Sequence, residues 1–103
     1  MKCPDCRDRL SLAASTEFKD APHIIDHQWF RCVGCGERFF AVLTEDKTHI
    51  FDDDFMHVGY RVAVSAWETT RRAPDRCPKP RDERCPCGVH TMIRGGSRAW
   101  KEL

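Results

Sequence analysis

Two short cysteine motifs, Cys3-Pro4-Asp5-Cys6 and Cys32-Val33-Gly34-Cys35, constrain this chain more than any other feature. A tight turn between cysteines three positions apart points both sulfurs to one side. A returning strand can then bring up the second pair to complete a tetrahedral set of four thiolates. Gly36 follows the second pair directly, at a position that often needs positive φ. Cys3, Cys6, Cys32 and Cys35 are therefore expected to hold one metal ion, joining segments that are distant in sequence.

The composition shows why such a staple matters. Of 103 residues, 41% are hydrophobic and 32% are charged, against a globular average of roughly 45–50% and about 25%. The core is thin, and a chain of this length has room for one domain or one domain with an appended lobe. Seven cysteines supply the means of reinforcement. An odd number, following a polar Met1-Lys2-Cys3-Pro4-Asp5 with no apolar leader, points to a reducing cytoplasm and to ligands rather than disulfides. Free thiols or disulfides remain the plain alternative. A thioredoxin-like redox pair would need a βαβ setting that the flanking sequence does not supply. No apolar run approaches the roughly 20 residues that span a bilayer, so no membrane partner is expected.

The paired knuckles resemble the zinc-ribbon class, whose usual form is Cys-Pro-x-Cys-Gly followed later by Cys-x-x-Cys-Gly. The resemblance covers roughly residues 1–45 and departs from the pattern at Arg7, where the class usually has glycine. It implies a structural zinc on Cys3, Cys6, Cys32 and Cys35, in a module that contacts nucleic acid or protein. Iron held as in rubredoxin is the rival metal, because four thiolates accept either ion.

A second cluster lies near the other end. Cys77, Cys85, Cys87 and His90 fall within fourteen residues that show no clear apolar pattern. Four donors in a segment otherwise unable to fold suggest a second zinc with Cys₃His coordination. The remaining histidines, His23, His27, His49 and His57, read as surface or strand residues, since both sites fill without them.

For the fold, Arg9–Ala13, His27–Arg31 and Arg38–Thr44 read as strands. Glu45-Asp46-Lys47 is expected to turn the chain into a second arm at Thr48–Phe51, with Asp52–Asp54 as a solvated turn. Phe18–Asp26 reads as a loop because Pro22 blocks a regular ladder. Val58, Tyr60, Val62, Val64 and Ala66 favour a strand by their spacing of two, although Met56, Tyr60, Ala63, Val64 and Trp67 would also line one helical face. Pro74, Pro78 and Pro80 exclude regular structure from Thr69 to Arg84. Ser97–Glu102 reads as one capped helical turn. The expected fold is a small metal-stabilised β-rich domain: a zinc ribbon of four or five antiparallel strands over residues 1–68, then a basic, zinc-bound arm over 69–103.

Charge is uneven. Residues 1–60 carry 7 Lys/Arg against 11 Asp/Glu, a net −4; residues 61–103 carry 10 against 5, a net +5. Arg71, Arg72, Arg76, Lys79, Arg81 and Arg84 could meet phosphates together, and Trp67 and Trp100 could stack on bases, or these could be a solvated face and core tryptophans. Trp29, Phe39 and Phe40 suit a core or an interface equally. No His-Glu-x-x-His or deaminase signature occurs. A hydrolytic centre built on His49, His57 and Asp52–Asp54 carries little weight. The expectation is a non-enzymatic interaction module with a protein partner; nucleic-acid binding through the basic arm is the alternative.

Overall fold

The structure, a computed structural model, describes residues 1–20, 22–46 and 54–102. Five strands form one antiparallel sheet in chain order: β1 Leu10–Asp20, β2 His23–Cys32, β3 Arg38–Asp46, β4 Asp54–Arg61 and β5 Ser97–Glu102. Two helices, α1 Val64–Arg71 and α2 Gly88–Gly95, stand between β4 and β5.

The sheet is buried on both faces at its centre, and the pairing shows how. Trp29 of β2 faces Phe40 of β3, while their neighbours Phe30 and Phe39 face each other. Successive side chains on a strand point to opposite faces, so each aromatic pair serves a different core. On one face Phe30, Phe39 and Ala41 pack with Leu10, Cys3 and Cys32, and Trp100 closes over them. On the other, Trp29 and Phe40 pack with Val62, Trp67, Val89 and Met92, which α1, α2 and the segment before α1 deliver. Trp29, Phe39 and Phe40 are thus core residues with no exposed surface.

Several elements differ from the sequence expectation. Phe18–Asp26 is no loop: Asp20 pairs directly with His23, so Pro22 falls in the connection of a β1–β2 hairpin, where its missing N–H costs nothing. The strand expected over Val58–Ala66 ends at Arg61, and the chain enters α1 at Val64. Helix wins there because Trp67 must reach the second core, where its indole N–H donates to the Phe39 carbonyl at 3.1 Å. Ser97–Glu102 is a strand, since the open edge of β4 offers a ladder, irregular at Ala99, after Gly95 and Gly96 end α2. Between Arg71 and Gly88 the chain has no helix or strand, as the prolines require, though Thr69–Arg71 still belong to α1. β3 runs on through Glu45 and Asp46, the positions expected to turn, and the arm expected at Thr48–Phe51 lies outside the described residues.

Candidate metal centres

The first centre is built from two turns of the same construction. In one, the Cys3 N–H donates to the Asp8 carbonyl and the Arg7 N–H to the Cys3 carbonyl, at 2.6 and 2.9 Å. In the other, the Cys32 N–H donates to the Glu37 carbonyl and the Gly36 N–H to the Cys32 carbonyl, at 3.0 and 3.2 Å. Arg7 and Gly36 occupy equivalent positions and both have positive φ, 65° and 76°. The first turn feeds β1 and the second joins β2 to β3, so the Leu10–Cys32 pairing brings both to the same end of the sheet. Arg61 of β4 holds the first turn by donating both Nε, at 3.1 Å, and Nη2 to the Asp5 carboxylate.

The four sulfurs meet where the turns converge. The Cys3 and Cys35 sulfurs are 3.8 Å apart, those of Cys6 and Cys32 3.4 Å. Sulfurs at about 2.3 Å from a tetrahedral ion would be separated by roughly 3.8 Å, so the spacing fits a Cys₄ metal site. Cys3 and Cys32 are buried, while Cys6 and Cys35 are exposed. The electrostatics fit as well. Backbone N–H groups of Cys35 and Gly34 point at the Cys32 sulfur, at 3.4 and 3.3 Å, and draw its pKa down to about 6. The Glu37 N–H favours ionised Cys35, but desolvation and the neighbouring sulfurs outweigh it and push that thiol up to about 12. The Cys32 thiolate forms readily while Cys35 resists; a divalent cation removes that resistance.

The second centre gathers Cys77, Cys85, Cys87 and His90, whose ligand atoms all lie within 4.8 Å of one another. His90 Nδ1 sits 3.4 Å from the Cys77 sulfur and 3.0 Å from that of Cys87. A tetrahedral edge between sulfur and imidazole nitrogen would be roughly 3.6 Å. The Cys87 sulfur also caps α2, accepting from the His90 N–H at 3.4 Å. Arg94 donates to the Glu83 and Cys85 carbonyls at 2.9 and 3.2 Å, tying the cysteine loop to the helix. Burial, then Cys87, pushes Cys77 up to about 12, whereas the Cys87 N–H lowers Cys85.

All eight candidate ligands are thus brought together in two sets of four. The sequence reading missed α2, which presents His90, although Val89, Met92 and Ile93 carry the i, i+3, i+4 spacing of a buried helical stripe. It also missed His27, a strand residue as expected but fully buried, its ring 6.1 Å from that of His90.

Other candidates fare differently. Trp67 is buried beneath Arg38 and Arg71, so it cannot stack on a base. Arg71 is paired with Glu68 at 3.0 Å, while Arg72, Arg76, Lys79, Arg81 and Arg84 are exposed. Trp100 lies against Phe39 and donates to His57 Nδ1 at 3.3 Å. His57 Nε2 bonds Gln28 at 2.8 Å, so both ring nitrogens are occupied. His49, Asp52 and Asp53 lie outside the described residues.

These elements define a small five-stranded antiparallel domain with two four-donor clusters suited to metal. No family model, no curated protein and no solved structure matches the chain. No helix among the described residues is long and apolar enough to cross a membrane.

Proposed function

We propose that the chain is a non-enzymatic zinc-binding interaction module of the zinc-ribbon kind, acting in the cytoplasm as an accessory or regulatory subunit of a protein partner. The observation that carries this reading is the completeness of both clusters. Each supplies four protein ligand atoms, and a closed tetrahedral set keeps no position for substrate, whereas catalytic zinc retains an open one. Zinc is favoured over iron because one metal then satisfies both the Cys₄ and the Cys₃His set. In this reading the five strands and both helices supply the scaffold, since β5 and α2 of the expected arm belong to the sheet and its cores, and the exposed cations between Arg72 and Arg84 present the contact surface.

Native mass spectrometry of the purified chain tests it. Two zinc ions per chain are expected, with Cys32→Ser and Cys85→Ser each losing one. Iron at the first centre, or a chain that binds no metal, overturns the assignment. The exposed cations of the arm favour a second reading, nucleic-acid binding. Titration at two salt concentrations separates them, since phosphate-driven affinity falls steeply with salt.

A further inference from the structure

On the sheet face opposite the first metal centre, α2 and the arm leave part of β2, β3 and β4 uncovered. The result is a groove of about 640 Å³, within the roughly 300–1,000 Å³ of small-molecule sites. Its floor is aliphatic, formed by Ile25, Val42 and Val58, and Ile93 of α2 forms one wall. Its rim is cationic: among the described residues Arg81, Arg84 and Arg94 line it together with the carboxylate of Glu83.

These charges are held in different ways. Arg94 is fixed by the carbonyls of Glu83 and Cys85 and by Thr91, all neutral acceptors, and makes no ion pair among the described residues. Arg84 is exposed and has no ion-pair partner among the described residues. Arg81 reaches Asp20 only at 3.5 Å, at the surface. At the β1–β2 turn, beside the Asp20 that Arg81 reaches, His23 engages Asp46, while its Nδ1 is buried with no hydrogen-bond partner among the described residues. An apolar floor beneath an arginine rim matches a ligand with an apolar body and an anionic head, because guanidinium groups grip carboxylate and phosphate oxygens in pairs.

We propose that this groove binds a free small amphiphile with an apolar chain and a carboxylate or phosphate head, seated on Val42, Val58 and Ile93 with its head against Arg84 and Arg94. This goes beyond the interaction module proposed above and does not depend on the identity of its partner.

The test is titration of the metal-loaded full chain, with ¹³C-labelled isoleucine and valine methyls, by decanoate and by decyl phosphate below their micelle concentrations. Saturable shifts at Val42, Val58 and Ile93 are expected for at least one of the two. Decylamine should bind at least tenfold more weakly. Arg84→Glu alters an exposed side chain, and its metal content and circular dichroism should match the parent. It should weaken anion binding about tenfold or more, a change of ~1.4 kcal/mol. Absence of shifts with both anions overturns the proposal. Equal binding of decylamine, or an Arg84→Glu protein of unchanged affinity, also overturns it by showing apolar contact alone. Binding only to phosphatidylglycerol vesicles, with none to the monomeric probes, overturns it in favour of a membrane surface.

Discussion

Arg7 holds a φ of 65° at the position where its counterpart in the second turn is Gly36, with φ 76°. A side chain in this left-handed region costs roughly 1–2 kcal/mol, and the greater freedom of unfolded glycine takes back part of that, about 0.5–1 kcal/mol. Arg7 is exposed, so its replacement forfeits little packing. Arg7→Gly should therefore stabilise the metal-loaded protein by about 0.5–1 kcal/mol, read from the urea midpoint. Gly36→Ala should destabilise it by about 0.5–1 kcal/mol, for purely conformational reasons, since an added Cβ meets nothing within 4 Å. A less stable Arg7→Gly protein would sink this account. His27 makes a separate demand. Burial, and secondarily His90, lowers its pKa from 6.5 to about 4, and neither ring nitrogen has a hydrogen-bond partner among the described residues. The folded state thus favours the neutral ring. The resulting contribution is complete above pH 6.5 and is lost as pH falls from there towards 4. His27→Leu should lose less stability than the parent between pH 7 and pH 5. Parallel slopes in paired denaturation curves would contradict that, and because both proteins carry the same metal ligands, ligand protonation cancels in the comparison.

At the scale of the element, β5 depends on one glycine. A Cβ on Gly59 would lie 2.1 Å from the Trp100 ring, so β4 accepts β5 only where it has no side chain. The ring then covers Phe30 and Phe39 and donates to His57, which in turn engages Gln28. Gly59→Ala should destabilise the fold by about 1–3 kcal/mol and red-shift tryptophan emission. In a Trp100→Ala background that cost should largely vanish. Additivity of the two substitutions would show that the contact does not carry the effect. This dependence also explains what the sequence could reveal. The strands around Trp29, Phe39 and Phe40 were legible because their apolar and β-branched residues are local signals, and the cysteine pairs and the Cys/His cluster disclosed both candidate ligand sets. β5 was hidden because Ser97–Glu102 has no strand pattern of its own; it becomes a strand only where β4 leaves an open edge. The β1–β2 hairpin was hidden for a related reason, in that Pro22 forbids a ladder position but not a turn. The bend into α1 was decided by the buried destination of Trp67, which lies far from it in sequence.

For the whole molecule, the candidate metal centres and the cores are arranged in pairs across one sheet. Cys3 and Cys32 belong to the core on one face, while Cys87 packs against the core on the other. β2 and β3 contribute to both through the back-to-back Trp29–Phe40 and Phe30–Phe39 pairs. A structural zinc site contributes about 10–16 kcal/mol of apparent binding free energy, as much as the whole stability of a small domain at about 5–15 kcal/mol. With so thin a core, the fold should not survive the loss of both metals, while loss of one should weaken its own face and, through the shared strands, the other. Complete chelation is therefore expected to abolish cooperative thermal unfolding. Cys32→Ser and Cys85→Ser, on opposite faces, should each lower the melting temperature of a single transition seen alike by far-ultraviolet circular dichroism and tryptophan fluorescence. Two separate transitions in either variant would mean that the faces fold independently. A Cys85→Ser protein melting at the parental temperature would mean that the second centre does not support the fold at all.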